Sequence, residues 1–158
     1  MSFRRVLLPL NVPGALWLHS MPGRMEPWER FLNEMRRHKL SLVMCLNPLD
    51  EVAALSPDYY KAITLGRLPF RRLHMPMRDM GLTSDAAAFA SGVAQLSQSL
   101  RLGDAALLHC AAGLGRTGTV AACVLKTLGL TSDQALQQVR NAGSNPQTAQ
   151  QSGLIDSF

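Results

Sequence analysis

The stretch 105–128 constrains the fold most. Ala105-Ala106-Leu107-Leu108-His109 is a short continuous apolar run. Cys110-Ala111-Ala112-Gly113-Leu114-Gly115-Arg116 is a glycine-bearing turn, and residues 117–128 carry no proline and read as helix. A buried strand that passes through a tight loop into a helix is a building unit of α/β layers, because the helix folds back to cover the apolar face of the sheet. In such sheets ligands bind beyond the carboxyl ends of the strands.

The remaining chain supplies the other layers. Residues 6–10 and 16–18 read as strands around a Pro13-Gly14 turn. Pro27 takes a first helical position, and Trp28, Phe31, Leu32 and Met35 follow at the helical period. Arg36, Arg37, His38 and Lys39 fall in the last turn, where cations suit the helix dipole. Residues 42–46 form a continuous apolar run closed by Asn47-Pro48, the pattern of a strand buried on both faces. Ser56-Pro57 opens a short helix through Tyr59 and Tyr60, and residues 70–75 form a strand that Arg71 and Arg72 place near an edge. A loop over 76–82 leads to a helix capped by Thr83 with Phe89, Val93, Leu96 and Leu100 on one stripe. Thr131 and Gln134 make a capping box for a helix ending near Gly143, and 147–158 forms a last helix that packs through Leu154, Ile155 and Phe158. Strands alternating with helices predict an α/β fold: a mostly parallel central sheet with helices on both faces, in one domain over 1–158.

With 158 residues, 47% of them apolar, the chain can bury a core, and it shows no repeat and no low-complexity stretch. A net charge of +5 favours anionic partners. Three cysteines without framework spacing fit a reducing compartment, so a cytoplasmic location is expected. Arg4 and Arg5 before an apolar stretch imitate a signal peptide, but Pro9, Asn11, Pro13 and Gly14 interrupt it, so a strand and turn are the better reading. No stretch reaches the ~20 apolar residues of a membrane span.

The loop after His109 carries the chemistry. A helix N-terminus presents unpaired N–H groups and a partial positive charge, and both favour thiolate at Cys110, the form in which cysteine is a nucleophile. Five residues separate Cys110 from Arg116, and Gly113 and Gly115 are expected to curl the chain so that its N–H groups converge on an anion. Arg116 closes that ring with a planar fork that holds two phosphate oxygens. Gly113-Leu114-Gly115-Arg116-Thr117-Gly118 also fits the dinucleotide fingerprint, but helix, turn and helix follow where a further strand is required. A Walker loop lacks its lysine before Thr117. A metal site lacks a second Cys or His pair.

His109-Cys110, five residues and Arg116-Thr117 resemble the signature of the cysteine-dependent protein tyrosine phosphatases. The resemblance extends to Met21-Pro22-Gly23-Arg24, to His74-Met75-Pro76-Met77-Arg78-Asp79 and to residues 143–158, and it points to the dual-specificity branch around the cyclin-dependent kinase-associated and Cdc14-like phosphatases. It implies attack by the Cys110 thiolate on phosphorus, then hydrolysis of a phosphocysteine. Ala111, Ala112, Gly113, Leu114, Gly115 and Arg116 would bind the phosphate. Asp79 matches the general acid, with Asp85 as runner-up, because the leaving oxygen needs a proton. Thr117 matches the hydroxyl that donates to the cysteine sulfur. Gln151 matches the glutamine that positions water, with Gln150 and Gln147 as alternatives. His109 is expected to orient the loop outside direct proton transfer.

Cys45 is weighed as a partner thiol for oxidised Cys110 against a buried hydrophobe, and Cys123 as core. Arg67, Arg71, Arg72 and Arg78 are weighed as a basic rim. Trp28 and Phe31 are expected in the core. The neutral Ala111, Ala112 and Leu114 lack the lysines of phosphoinositide relatives, which argues against lipid substrates.

The expected activity is therefore a metal- and cofactor-independent phosphomonoesterase on phosphotyrosine, and also phosphoserine and phosphothreonine, in proteins or peptides. Neither nucleic acid nor membrane is an expected partner, and a monomer is expected. The competing readings are a phosphoprotein-binding module without turnover and an arsenate reductase or sulfurtransferase.

Overall fold

The computed structural model describes residues 3–78, 86–146 and 149–158, for the last stretch without the side chains of 149–152. Strands β1 (Arg4–Val6), β2 (Ala15–His19), β3 (Leu42–Cys45), β4 (Arg71–His74) and β5 (Ala105–His109) form one sheet in the order β1-β2-β5-β3-β4. Three neighbour pairs are parallel, and β1 lies antiparallel on β2. The helices are α1 (Trp28–Arg37), α2 (Leu49–Leu55), α3 (Pro57–Thr64), α4 (Ala86–Arg101), α5 (Gly115–Thr127), α6 (Ser132–Asn141) and α7 (Ala149–Ser157).

β5 is central because its middle residues are apolar on both faces. Leu16, Leu18, Leu42, Met44, Ala106 and Leu108 face a cluster completed by Phe89, Val93 and Leu96 of α4, Val120 and Val124 of α5, Val139 of α6 and Ile155 of α7. The alternate residues Val43 and Leu107 face Phe31 and Met35 of α1, and Cys45 faces Val52 of α2 and Tyr59 of α3. Two helical layers therefore cover one sheet, and the strand period of two sorts the side chains between them. Phe31 is fully buried, with Trp28 stacked between it and Tyr59 at centroid separations of 5.5 and 5.7 Å.

Most elements lie where the sequence pattern puts them, and the departures have physical causes. The first strand is Arg4–Val6 instead of 6–10. Leu7 and Leu10 are apolar but exposed, whereas Arg4 and Arg5 pair with Leu18 and Trp17, and Arg5 also lies over the Trp17 ring. Helix α2 was not expected; at seven residues it is too short to show a period. Pro27 sits at the N-cap of α1, one residue ahead of the helix. Helix α5 begins at Gly115, two residues before the expected start. The capping box at α6 is formed: the Gln134 N–H donates to Thr131 Oγ1 at 3.2 Å and the Thr131 N–H to Gln134 Oε1 at 3.0 Å. The proposed cap Thr83 lies outside the described residues. Among the described residues no helix is long and apolar enough to cross a membrane.

Candidate active site

The carboxyl ends of β2, β3 and β5 bring His19, Cys45 and His109 level with one another. The chain leaves β5 at His109, loops through Cys110 and enters α5 at Gly115. Of the two glycines expected to curl this loop, Gly113 alone has a positive φ, +74°. A Cβ there would stand 2.6 Å from the His19 carbonyl oxygen. Gly115 is instead the first helical residue, because the curled loop runs straight into the helix.

Several loop carbonyls have partners. Cys110 O faces His109 Nδ1 at 3.3 Å, Ala111 O accepts from the Met21 N–H at 3.1 Å, and Leu114 O accepts from the N–H groups of Gly118 and Asn145 at 2.8 and 3.3 Å. In a trans peptide the C=O and the following N–H point in opposite directions. Each carbonyl held on the outside therefore turns the next N–H, those of Ala111, Ala112 and Gly115, toward the hollow of the loop. The Gly113 N–H donates to Cys110 Sγ at 3.3 Å. The result is a nest of donors around a sulfur at the start of a helix, a setting that favours anions.

Arg116 sits in the first turn of α5 with its side chain 2% exposed. Its guanidinium is gripped in fork fashion by Glu51 of α2, Nη2 to Oε1 at 2.8 Å and Nη1 to Oε2 at 3.1 Å, and Nη1 also donates to Met77 O at 2.8 Å. Asn47 donates to Glu51 Oε1 at 2.9 Å. Burial alone would raise the Glu51 carboxyl, but Arg116 and Asn47 outweigh it and hold that carboxyl below its usual range. Glu51 was not picked out from the sequence, where it looks like an ordinary acid in the first turn of a helix.

His109 is fully buried, and burial pushes its pKa down to about 3, so the ring is neutral. A carbonyl only accepts, so the Nδ1 facing Cys110 O carries the proton and Nε2 accepts from Tyr59 O–H at 2.9 Å. His109 thus links the Cys110 carbonyl to the Tyr59 hydroxyl. A second histidine, His19, contacts Glu26 through Nε2 in the interior. Burial would raise the Glu26 carboxyl, yet the His19 ring and the Gly23 N–H hold it low. Together with Ser56 Oγ–H donating to Pro22 O at 2.6 Å, these bonds fix the segment that carries Arg24.

Cys110, Ala111, Ala112, Gly115 and Arg116 line a cavity of 330 Å³ with Arg24, Glu51 and Leu55. The structure thus brings Cys110, the loop and Arg116 together on one cavity. Asp79, its runner-up Asp85 and Gln147 lie outside the described residues, as do the side chains of Gln151 and Gln150. Thr117 Oγ1 is buried and without a hydrogen-bond partner among the described residues, so its expected bond to the sulfur is not formed.

The four arginines weighed as a basic rim are not brought together. Arg67 lines a different cavity with Asp58 and Lys61, Arg71 lies 3.8 Å from Asp104 at the far end of the sheet, and Arg78 pairs with Asp50 at 3.0 Å. The charge of Arg72 acts on Cys45, Tyr59, His74 and His109. Arg24 is the additional cation at the cavity. Cys45 donates to Asn47 O at 3.6 Å and packs with Met21, Val52 and Tyr59. Cys123 is core, its thiol pushed up to about 12 by burial. Among the described residues no group of three or more His, Cys, Asp or Glu is placed to hold a metal.

A cysteine enclosed by converging amides, with an arginine clamped beside it at the start of a helix, defines the class of cysteine-dependent phosphatases. Residues 12–153 match the family described as the Swiss Army Knife protein, DSP-PTPase phosphatase domain, and the chain belongs to that family. It is a dual-specificity-type phosphatase domain. No curated protein sequence matches it. Among solved structures it is similar to kinase associated phosphatase carrying serine for its catalytic-site cysteine, at 22% identity and TM-score 0.82, covering all of this chain and 94% of that one. It is also similar to Tk-PTP in its active form, at 25% identity and TM-score 0.70 over 98% and 95% of the two chains. A third is a human tyrosine phosphatase-like serine/threonine/tyrosine-interacting protein, at 19% identity and TM-score 0.72 over 99% and 94%.

Proposed function

We propose that this phosphatase hydrolyses phosphotyrosine monoesters in proteins, and phosphoserine and phosphothreonine as well, through a phosphocysteine intermediate. The observation that carries the reading is the convergence of Cys110 Sγ, the inward amides and the Glu51-held Arg116 on one cavity. The Cys110 thiolate attacks phosphorus as the P–O bond to the leaving group breaks. Asp79 gives its proton to the departing oxygen. Amides and guanidinium stabilise the charge spread over the three equatorial oxygens in the transition state. In the second step water, positioned by Gln151, attacks phosphorus and yields its proton to Asp79. The sulfur leaves as thiolate, its charge eased by the Gly113 N–H that donates to it, and inorganic phosphate departs.

The wall of the cavity supports acceptance of both aromatic and aliphatic esters. No aromatic side chain lines it among the described residues, so nothing there sandwiches a phenyl ring. All three cysteines are buried and unpaired, which supports a reducing, cytoplasmic setting.

The test is hydrolysis of p-nitrophenyl phosphate and of phosphopeptides with EDTA present. Turnover blocked by vanadate is expected. Cys110→Ser should abolish it while inorganic phosphate still binds, and Asp79→Ala should slow it by roughly 10²–10⁴-fold. Phosphopeptide binding without wild-type turnover would assign the chain as a binding module. Thiol-dependent arsenate reduction or sulfur transfer without ester hydrolysis would assign it to those chemistries.

A further inference from the structure

Arg4 reaches the loop at Gly113, and neither residue lines the cavity that holds Arg116. Strand β1 brings it there: antiparallel pairing places Arg4 opposite Leu18, one residue from the end of β2. Its guanidinium donates to Gly113 O at 2.6 Å, Ala142 O at 2.8 Å and Ser144 Oγ at 2.9 Å, and Ser144 Oγ–H donates to the same Gly113 O at 2.6 Å. Two donors from distant parts of the chain thus hold one carbonyl of the phosphate loop. Glycine at 113 makes room for this, since a Cβ would stand 2.8 Å from Arg4 Nη2.

The grip has a direct consequence for the site. Gly113 O and the Leu114 N–H belong to one trans peptide and point oppositely. Holding the oxygen behind the loop aims the Leu114 N–H into the hollow where the phosphate sits. Without Arg4, Ala111 O and Leu114 O keep their backbone partners, but Gly113 O keeps only Ser144. Gly113 is also the residue with a positive φ, so it is the one most free to flip.

Charge adds to geometry. None of the ion pairs among the described residues involves Arg4, and the charge that acts on its guanidinium is that of Cys110. A half-buried cation without a carboxylate partner is otherwise disfavoured. Behind a loop that collects a thiolate or a phosphate, it gains the counter-charge it lacks.

We propose that Arg4 is a positioning residue of the phosphatase reaction: it fixes the Gly113–Leu114 peptide with its N–H toward the phosphate and adds positive potential behind the nucleophile. This rests on the phosphate-loop reading above. It makes the N-terminal strand part of the active site.

The experiment compares wild type with Arg4→Met, Arg4→Lys and Ser144→Ala, reading three quantities. These are the melting temperature, the affinity for inorganic phosphate by calorimetry, and kcat and KM on p-nitrophenyl phosphate. Arg4→Met should remain folded, bind phosphate about tenfold to a hundredfold more weakly and lose kcat by a similar factor. Arg4→Lys should recover part of both, and Ser144→Ala should weaken both by less than tenfold. Val6→Ala on the same strand is the control: it lowers melting but leaves phosphate affinity unchanged. Phosphate affinity and kcat at wild-type levels in Arg4→Met would overturn the proposal, as would losses that only track melting temperature. If Arg4→Met does not fold, Arg4→Lys and Ser144→Ala decide by the same criteria. Phosphate binding is read without turnover, so an inactive wild type that still binds phosphate in an Arg4-dependent way would sink the hydrolase reading while leaving Arg4's hold on the phosphate loop standing.

Discussion

Two adjacent carboxylates show how burial sorts residues of the same type. Glu51 grips the buried Arg116 and is itself partly shielded, whereas Asp50 meets Arg78 in open solvent. An exposed pair is screened and contributes little, while a shielded charge that loses its partner is left desolvated. Glu51→Gln keeps an acceptor but removes the charge, so Arg116 loses its fork partner. We expect kcat/KM on p-nitrophenyl phosphate to fall about tenfold to a hundredfold, and Asp50→Asn to stay within about twofold. Steady-state kinetics of the two variants checks this, and equal effects would mean that Glu51 does not position the arginine. Thr117 is instructive in another way. A buried hydroxyl without a partner costs about 1–3 kcal/mol, and such costs collect where a group serves the reaction.

At the level of elements, the short pieces serve the site and the long ones serve the core. Helix α2 spans only Leu49–Leu55 but delivers both Glu51 and Leu55 to the cavity. Strand β1 spans Arg4–Val6 and delivers Arg4 to the back of the loop. Helix α5 does both, entering the core through Val120 and Val124 and the site through Arg116. Gly118 lets it do so: a Cβ there would stand 2.9 Å from the Asn145 N, which is bonded to the loop carbonyl Leu114 O. Helix α6, which precedes that stretch, is started by its capping box. Replacing Thr131 by Ala should cost about 1 kcal/mol, read as a lower urea midpoint with an unchanged slope. Because the bonds of Thr131 stay within the first turn of α6, kcat should not change.

For the whole molecule, pH tests the buried histidine. His109 has an ordinary value of 6.5 and a folded value of about 3. Unfolded chains take up the proton as pH falls below about 6.5, and the native state refuses it until about 3. Stability is therefore fully present above the unfolded value and is lost on acidification through that window, at about 1.4 kcal/mol per pH unit. His74, lowered chiefly by burial, acts in the same sense, so a variant is needed to apportion the slope. The Glu26 and Glu51 carboxyls, held low in the fold, add their loss further down as pH falls through their lowered values. Urea unfolding of His109→Asn between pH 6.5 and 4.5 should show a slope smaller by about one proton. An unchanged slope would mean that His109 is protonated in the native state.

The alternation of apolar runs and helical periods determined the α/β layering, and a cysteine, five residues and an arginine between strand and helix pointed to the candidate site. Both were legible because they are local: strand period, helix period and loop curvature depend on residues within a few positions of one another. Tertiary structure alone decided what holds that loop in shape. Glu51 lies 65 positions from Arg116, and Arg4 lies 109 from Gly113. No spacing rule links such pairs; only the sheet order and the packing of a short helix bring them within hydrogen-bonding distance.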